Sequence, residues 1–314
     1  MKLIFAGTPA NAARTLEALI AGPFEVVGVL TRPDAPVGRK RVLTPSPTAV
    51  VAEAAGIPVF KANWVTTELA AELAATGADL GVIVAYGALL KDFALKALPL
   101  GWVNLHYSLL PDWRGAAPVQ NAILAGDTET GVTLFQLDEG MDTGPVFAVV
   151  PAVIQPGENS GRLLERLTEL GITLLSQELP RLAAGIAVAK PQPANATARP
   201  ANKLSRQLAE IDWNESARRV EHKVLGMNPE PMAHTEAASD SLRVLDALAL
   251  PGADAKAMAP GSEPGTIIFE PKRVLVRCGG GTLLQLKTVQ PAGKNPMPAT
   301  DWARGAAGKV SHLG

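Results

Sequence analysis

Short apolar runs alternate with helix-spaced ones through the first 190 residues. Lys2–Ala6 is apolar and stops at Gly7-Thr8-Pro9, and Ala10–Ala21 then carries Leu16, Leu19 and Ile20 at helical spacing, which predicts a strand and an amphipathic helix. Glu25–Leu30 is β-branched and apolar, Pro45–Ala55 reads as a helix stopped by Gly56, Ile57–Phe60 as a strand and Thr66–Ala75 as a helix. Leu80–Ala85 is apolar without alternation, as a strand covered on both faces should be, and Trp102–Leu105 is the next such run. A helix over Gly115–Ala125, a strand over Gly131–Leu137 and a long helix over Gly161–Ala184, with leucines at 163, 167, 170 and 174, complete the series. This βαβαβ succession predicts an α/β fold with a doubly wound, mostly parallel, Rossmann-like sheet. Ligands in such sheets sit beyond the carboxyl ends of the strands, so chemistry is expected just after Leu80–Ala85 and Trp102–Leu105.

The pattern changes after residue 190. Lys190-Pro191-Gln192-Pro193-Ala194-Asn195 suits an extended connector. Beyond it lie short strand-like runs, Leu242–Leu248, Gly265–Phe269, Arg273–Arg277 and Thr282–Leu286, separated by turn signals such as Gly279-Gly280-Gly281. Regularly spaced short strands predict a small antiparallel β-barrel. The expected division is a domain over 1–190, a linker over 191–204 and a barrel domain over 205–314, and 314 residues is a length that fits two domains.

Composition narrows the class. At 47% hydrophobic and 19% charged residues this is not a disordered chain. No stretch approaches the ~18 apolar residues of a membrane span, and the apolar start is too short for a signal peptide, so a soluble cytoplasmic protein is expected. The single cysteine, Cys278, leaves no internal disulfide framework, and with four scattered histidines it argues against a zinc site. The net charge of −1 hides an asymmetry: residues 1–190 hold 14 Lys and Arg against 18 Asp and Glu, residues 191–314 hold 15 against 12. A basic smaller half allows a polyanionic partner to touch part of the surface, although compositional noise accounts for the excess equally well. Arg32–Arg41, rich in Pro and Gly, reads as an exposed loop. Its Arg39, Lys40 and Arg41 suit contact with phosphates or are simply solvated.

Candidate chemistry clusters past the strand Trp102–Leu105. Asn104 and His106 are two apart, so on an extended strand they point to the same side. A carboxamide and an imidazole there form a pair of hydrogen-bond donors, or else a loop cap and a packed histidine. Asp138-Glu139-Gly140-Met141-Asp142-Thr143-Gly144 is a tight acidic loop. Asp138 and Glu139 fit a solvated turn, whereas Asp142 can reach an imidazole and hold it oriented. Neither G-x-G-x-x-G nor G-x-x-x-x-G-K-[ST] occurs, so a nicotinamide or ATP cofactor lacks its phosphate cradle.

Asn104-Leu105-His106, the run Ser108-Leu109-Leu110-Pro111-Asp112-Trp113-Arg114-Gly115-Ala116-Ala117-Pro118 and Asp142-Thr143-Gly144 together resemble the folate-dependent formyltransferases, in the branch that acts on methionine carried by tRNA. Phe5-Ala6-Gly7-Thr8-Pro9, the Pro33–Pro47 loop, Val84-Ala85-Tyr86-Gly87, Ile211-Asp212-Trp213 and Pro291-Ala292-Gly293-Lys294 fall in family order, so the likeness covers nearly the whole chain. The resemblance implies an enzyme that takes a formyl group from 10-formyltetrahydrofolate as co-substrate, with no metal. The acceptor it implies is the α-amine of methionine on initiator methionyl-tRNA, formylated for translation initiation. It implies catalytic roles for Asn104, His106 and Asp142. The chemistry of formyl transfer adds the expectation that Asn104 and a protonated His106 donate to the oxyanion while Asp142 keeps the imidazole charged. The resemblance implies folate contacts from Ser108, Leu109, Leu110 and Pro111, and tRNA contacts from Arg39, foremost, with Lys40 and Arg41. The carboxyl-terminal barrel is expected to resemble an OB-fold and to grip the tRNA; a monomer without membrane contact is expected. Tyr107 stands where the family commonly has a small residue and is expected to narrow the edge of the folate pocket. Two other readings stay open. A formyltransferase of the same fold acting on a nucleotide-linked amino sugar or a purine precursor is disfavoured by the basic loop and basic second half. A non-catalytic RNA-binding protein is disfavoured by the intact trio.

Overall fold

The structure is a computed structural model that describes every residue except Arg39, 194–197, Ser239 and 252–262. In chain order the first two-thirds form β1 (Lys2–Gly7), α1 (Ala10–Ala21), β2 (Glu25–Thr31), β3 (Ala35–Val37), β4 (Val42–Thr44), α2 (Pro47–Ala54), β5 (Val59–Lys61), α3 (Thr67–Ala75), β6 (Leu80–Val84), α4 (Asp92–Leu95), β7 (Trp102–His106), β8 (Arg114–Gly115), α5 (Pro118–Ala125), β9 (Glu129–Gln136), β10 (Val146–Val153), α6 (Ser160–Ala183) and β11 (Pro200–Ala201). The residues sort into two compact units, Met1–Pro118 with Glu129–Val153 and Leu164–Ala201, and Val119–Thr128 with Ile154–Leu163 and Asn202–Gly314.

A seven-stranded sheet in the order β10-β9-β7-β6-β1-β2-β5 organises the first unit. The pairs from β7 to β5 are parallel, while β9 runs antiparallel to β7 and β10 antiparallel to β9. Every residue of β6 is buried, which follows from helices on both faces. One face packs Ile4, Leu30, Ile83 and Trp102 against Leu73 of α3 and Ala94 of α4. The other carries α6, where Leu105 meets Gly171, and α1. The doubly wound, mostly parallel sheet is therefore as the alternation of patterns predicted.

Three local departures bear on function. The helix expected from Gly115 starts at Pro118, because Arg114 and Gly115 are extended and pair in parallel with Pro200 and Ala201. The loop after β2 is a hairpin, β3 with β4, that exposes Val37, Val42 and Leu43. The edge strand β10 was not expected: its burial alternates irregularly and it contains Pro151, which an edge position tolerates.

The connector expected over 191–204 is, in its described parts up to Ala201, hydrogen-bonded into the first unit. Lys190 and Val146 exchange both backbone bonds, at 2.7 and 2.8 Å, and Trp113 N–H donates to Arg199 O at 2.7 Å. A reading of prolines and polar residues sees an extended chain but not the partners of its backbone.

The second unit holds α7 (Ala217–Gly226), β12 (His234–Ala237), β13 (Asp240–Ala249), β14 (Ile267–Phe269), β15 (Val274–Arg277), β16 (Leu283–Pro291), β17 (Met297–Pro298) and α8 (Ala299–Ala306). The antiparallel sheet runs β12-β13-β16-β15-β14, with β17 added on β16. Its two edges are bridged by the last residues: Ala237 pairs with Leu313 and Thr266 with His312, and Leu313 N–H donates to Gly265 O at 2.9 Å. The curled sheet thereby becomes the small barrel that the spacing of short strands predicted. Its interior is Leu242, Val244, Val274, Val276, Leu284 and Leu286, capped by Val220 and Val224 of α7. Among the described residues no helix is long and apolar enough to cross a membrane.

Candidate active site

Asn104 and His106 lie on β7, opposite Phe135 and Thr133 of β9, and their side chains share the sheet face of Trp102. His106 is 6% exposed. Its Nε2 lies 2.9 Å from Trp113 O; a carbonyl only accepts, so Nε2 carries hydrogen and donates. Its Nδ1 faces Asp142 Oδ2 at 3.8 Å, and its ring meets Phe135 edge-on. The ring is therefore gripped on one side and faces a carboxylate on the other, the arrangement that fixes an imidazole's tautomer.

Burial pushes the His106 imidazole below its ordinary pKa, and the Asp142 carboxylate and the Trp113 carbonyl pull it back by less. Desolvation penalises the charged form of the ring, and Asp142 is placed to stabilise that charge.

Asp142 is held from several sides. Its Oδ2 accepts the Gly115 N–H at 2.8 Å, and its backbone O accepts from Gln192 Nε2 at 2.9 Å. Its φ of +54° lies in the left-handed region, which Asp tolerates better than most residues. Gly144, two residues on, packs so closely on the Gln136 carbonyl that any Cβ would overlap it. That close approach explains the glycine.

The segment Ser108–Pro111 follows β7 directly. Ser108 is fully buried and its hydroxyl donates to Asp112 O at 2.6 Å, so it shapes the turn; Leu109, Leu110 and Pro111 are partly exposed. Thr133 of β9 pins the segment: its hydroxyl donates to Ser108 O at 2.7 Å and accepts the Leu110 N–H at 3.3 Å. Tyr107 does not narrow a pocket edge. It is buried on the opposite sheet face, where its hydroxyl accepts from Asn11 of α1 at 3.2 Å beside Thr15 and Thr168. Alternation along an extended chain sends Tyr107 to the face opposite His106.

The structure thus brings Asn104, His106, Asp142 and Ser108–Pro111 to one end of β7. Lys40 and Arg41 are elsewhere, exposed at the tip of the β3–β4 hairpin, where Arg41 N–H donates to Gly38 O; Arg39 lies outside the described residues. Among the described residues no group of three or more His, Cys, Asp or Glu side chains is placed to hold a metal. Sequence reasoning missed Thr133, the Trp113 carbonyl, the Gly115 N–H and Gln192. The first three act through β9 or the backbone and have no sequence signature. Gln192 stood between two prolines in a segment that reads as a linker.

Comparison with known proteins covers nearly the whole chain. Residues 1–179 match the formyl transferase family model and residues 203–307 match that of the formyl transferase carboxyl-terminal domain. The chain is 48% identical over 306 residues to a methionyl-tRNA formyltransferase of Arthrobacter sp. (strain FB24), covering 97% of each, and 46% identical over 309 residues to one of Clavibacter sepedonicus, covering 98% of each. In fold it is similar to an N-formyltransferase from Helicobacter canadensis solved with folinic acid and dTDP-3-aminofucose, at a TM-score of 0.66 and 17% identity over 91% of this chain and 98% of that one. Sheet, paired imidazole and carboxylate, and both matched domains lead to one statement: the chain belongs to the formyltransferase family, on the branch of the methionyl-tRNA formyltransferases.

Proposed function

We propose that the chain transfers a formyl group from 10-formyltetrahydrofolate to the α-amine of methionine on initiator methionyl-tRNA, with Asn104, His106 and Asp142 as the catalytic residues. The observation that carries the chemistry is the buried His106, fixed by Trp113 O and facing Asp142 across 3.8 Å. Its sheet-mate Asn104 offers a carboxamide donor at the same strand end. The acceptor is supported by near-full-length similarity to curated methionyl-tRNA formyltransferases in both domains.

The chemistry needs no protein nucleophile, since an α-amine with a pKa near ~8 is substantially neutral near neutral pH. The amine adds to the formyl carbon to give a tetrahedral oxyanion, whose collapse breaks the bond to the donor nitrogen as one proton passes from the amine to that nitrogen. Asn104 donates to the developing oxyanion. His106 Nδ1, free while the ring is neutral, receives a proton, and Asp142 balances the resulting charge. Leu109, Leu110 and Pro111, apolar and partly exposed beside this pair, fit one wall for a flat aromatic donor; Ser108 supports them from below. Formyl transfer from radiolabelled donor to charged initiator tRNA is expected, with no transfer to a nucleotide-linked amino sugar offered in competition. Preference for the sugar would reject the acceptor, and absence of any transfer would favour the RNA-binding reading.

Arg39, Lys40 and Arg41 are proposed to meet acceptor-stem phosphates, supported by the exposed tip that carries Lys40 and Arg41. Replacing all three by alanine is expected to raise KM for charged tRNA about tenfold or more while leaving folate binding unchanged. The salt dependence of tRNA binding should also become shallower; an unchanged slope would count against phosphate contact. The barrel over 205–314 is proposed to hold the rest of the tRNA, with the catalytic domain over 1–190. The proposal includes a cytoplasmic reaction, which charged tRNA as substrate supports, and a monomeric protein.

A further inference from the structure

We infer that Gln192 is a positioning residue of the transfer reaction: its side-chain amide fixes the turn that bears Asp142 and ties that turn to the strand segment whose backbone holds His106. This rests on the reading of His106 and Asp142 as catalytic. Gln192 Nε2 donates to Asp142 O and to Gly144 O, both at 2.9 Å, and Gln192 Oε1 accepts from Arg114 Nη2 at 2.6 Å. A primary amide has two N–H groups and one carbonyl, so all three bonds form together and each group is used.

The partners explain why this matters. Arg114 lies between Trp113, whose carbonyl accepts from His106, and Gly115, whose N–H reaches Asp142 Oδ2. The imidazole is thus held from residue 113 and faced from residue 142, and the Gln192–Arg114 link sets the spacing between these two sides. Asp142 and Trp113 both adopt positive φ, +54° and +61°. Non-glycine residues stay there only where their surroundings dictate it, and Gln192 bonds directly to the carbonyl of the first. Gln192 is itself delivered to the site, because Lys190, two residues earlier, is locked to Val146 at the start of β10. Gln192 bonds neither the Asp142 carboxylate nor the His106 ring, so its effect passes through the Asp142 backbone.

The test is a double-mutant cycle in the full chain, with Gln192→Met, which keeps length and loses both N–H groups, and Gln192→Asn, which keeps them and loses reach. Each is expected to lower kcat about 10- to 100-fold, because misplacing a catalytic group by about 1 Å has effects of up to that size. KM for the folate donor and for charged tRNA should stay within about threefold. In an Asp142→Ala background the same substitutions should change kcat by less than about twofold, since a residue acting through Asp142 has nothing left to position. Retained kcat in both single variants overturns the inference, and so does an equal loss in both backgrounds, which marks a general packing role. Should Asp142→Ala alone leave kcat intact, the site reading fails first and the inference with it, a result distinct from an inert Gln192.

Discussion

Exchange of Asp142 for alanine should lower kcat about 100-fold or more while the protein remains folded. The carboxylate has two jobs that alanine cannot do: it accepts the Gly115 N–H at 2.8 Å, and it faces His106 Nδ1 at 3.8 Å. Without it the imidazole keeps its burial and loses the group that pulls its pKa upward, so the ring takes up a proton less readily as the amine attacks. Asn104→Ala should cost a similar factor, since loss of one oxyanion donor typically costs about 100- to 1000-fold. Steady-state kinetics with charged initiator tRNA, beside thermal melts and titration with a folate analogue, separate the effects. Rates within threefold of the parent for both variants would remove the trio from the mechanism.

The second large effect is expected at Gly115, where alanine should damage stability and turnover together. Gly115 has a φ of +124°, and a Cβ there would stand 2.7 Å from Ala201 O. Forcing a side-chain-bearing residue into such backbone costs roughly 1–3 kcal/mol. Relief requires β8 to move away from β11, which drags the Gly115 N–H off Asp142. A melting temperature lower by roughly 2–12 °C is expected, at about 2–4 °C per kcal/mol for a body of this size, with kcat down about 100-fold. A melting curve and turnover identical to the parent's would show that the pairing of 114–115 with 200–201 is dispensable.

Much of the sheet was legible because each buried element advertises its period. Leu80–Val84 has no polar residue to alternate, and Leu163, Leu167 and Leu174 mark the buried stripe of α6. The elements that escaped notice are stabilised by contacts distant in sequence. β10 is an edge strand that contains Pro151, β12 has only four residues, and α7 has an apolar stripe confined to positions such as Val220 and Val224. The same split runs through the site. Asn104, His106 and Asp142 are recognisable by residue type and by their family motifs. What orients them is largely main chain, namely the Trp113 carbonyl and the Gly115 N–H, and a main-chain atom is the same in every residue. Tyr107 shows the opposite error: an unusual residue beside a motif drew notice, and strand alternation had already turned it to the other face.

The register of β11 has a consequence for how a working copy comes into being. Ribosomes release the chain from its amino end, so every strand of the central sheet emerges before Gln192, Arg199 and Ala201 do. A nascent polypeptide can thus own a finished sheet while Asp142 still lacks its clamp and Trp113 still lacks the backbone partner it finds in Arg199. Residues 113–116 gain these backbone partners only when the stretch preceding the barrel threads back alongside them.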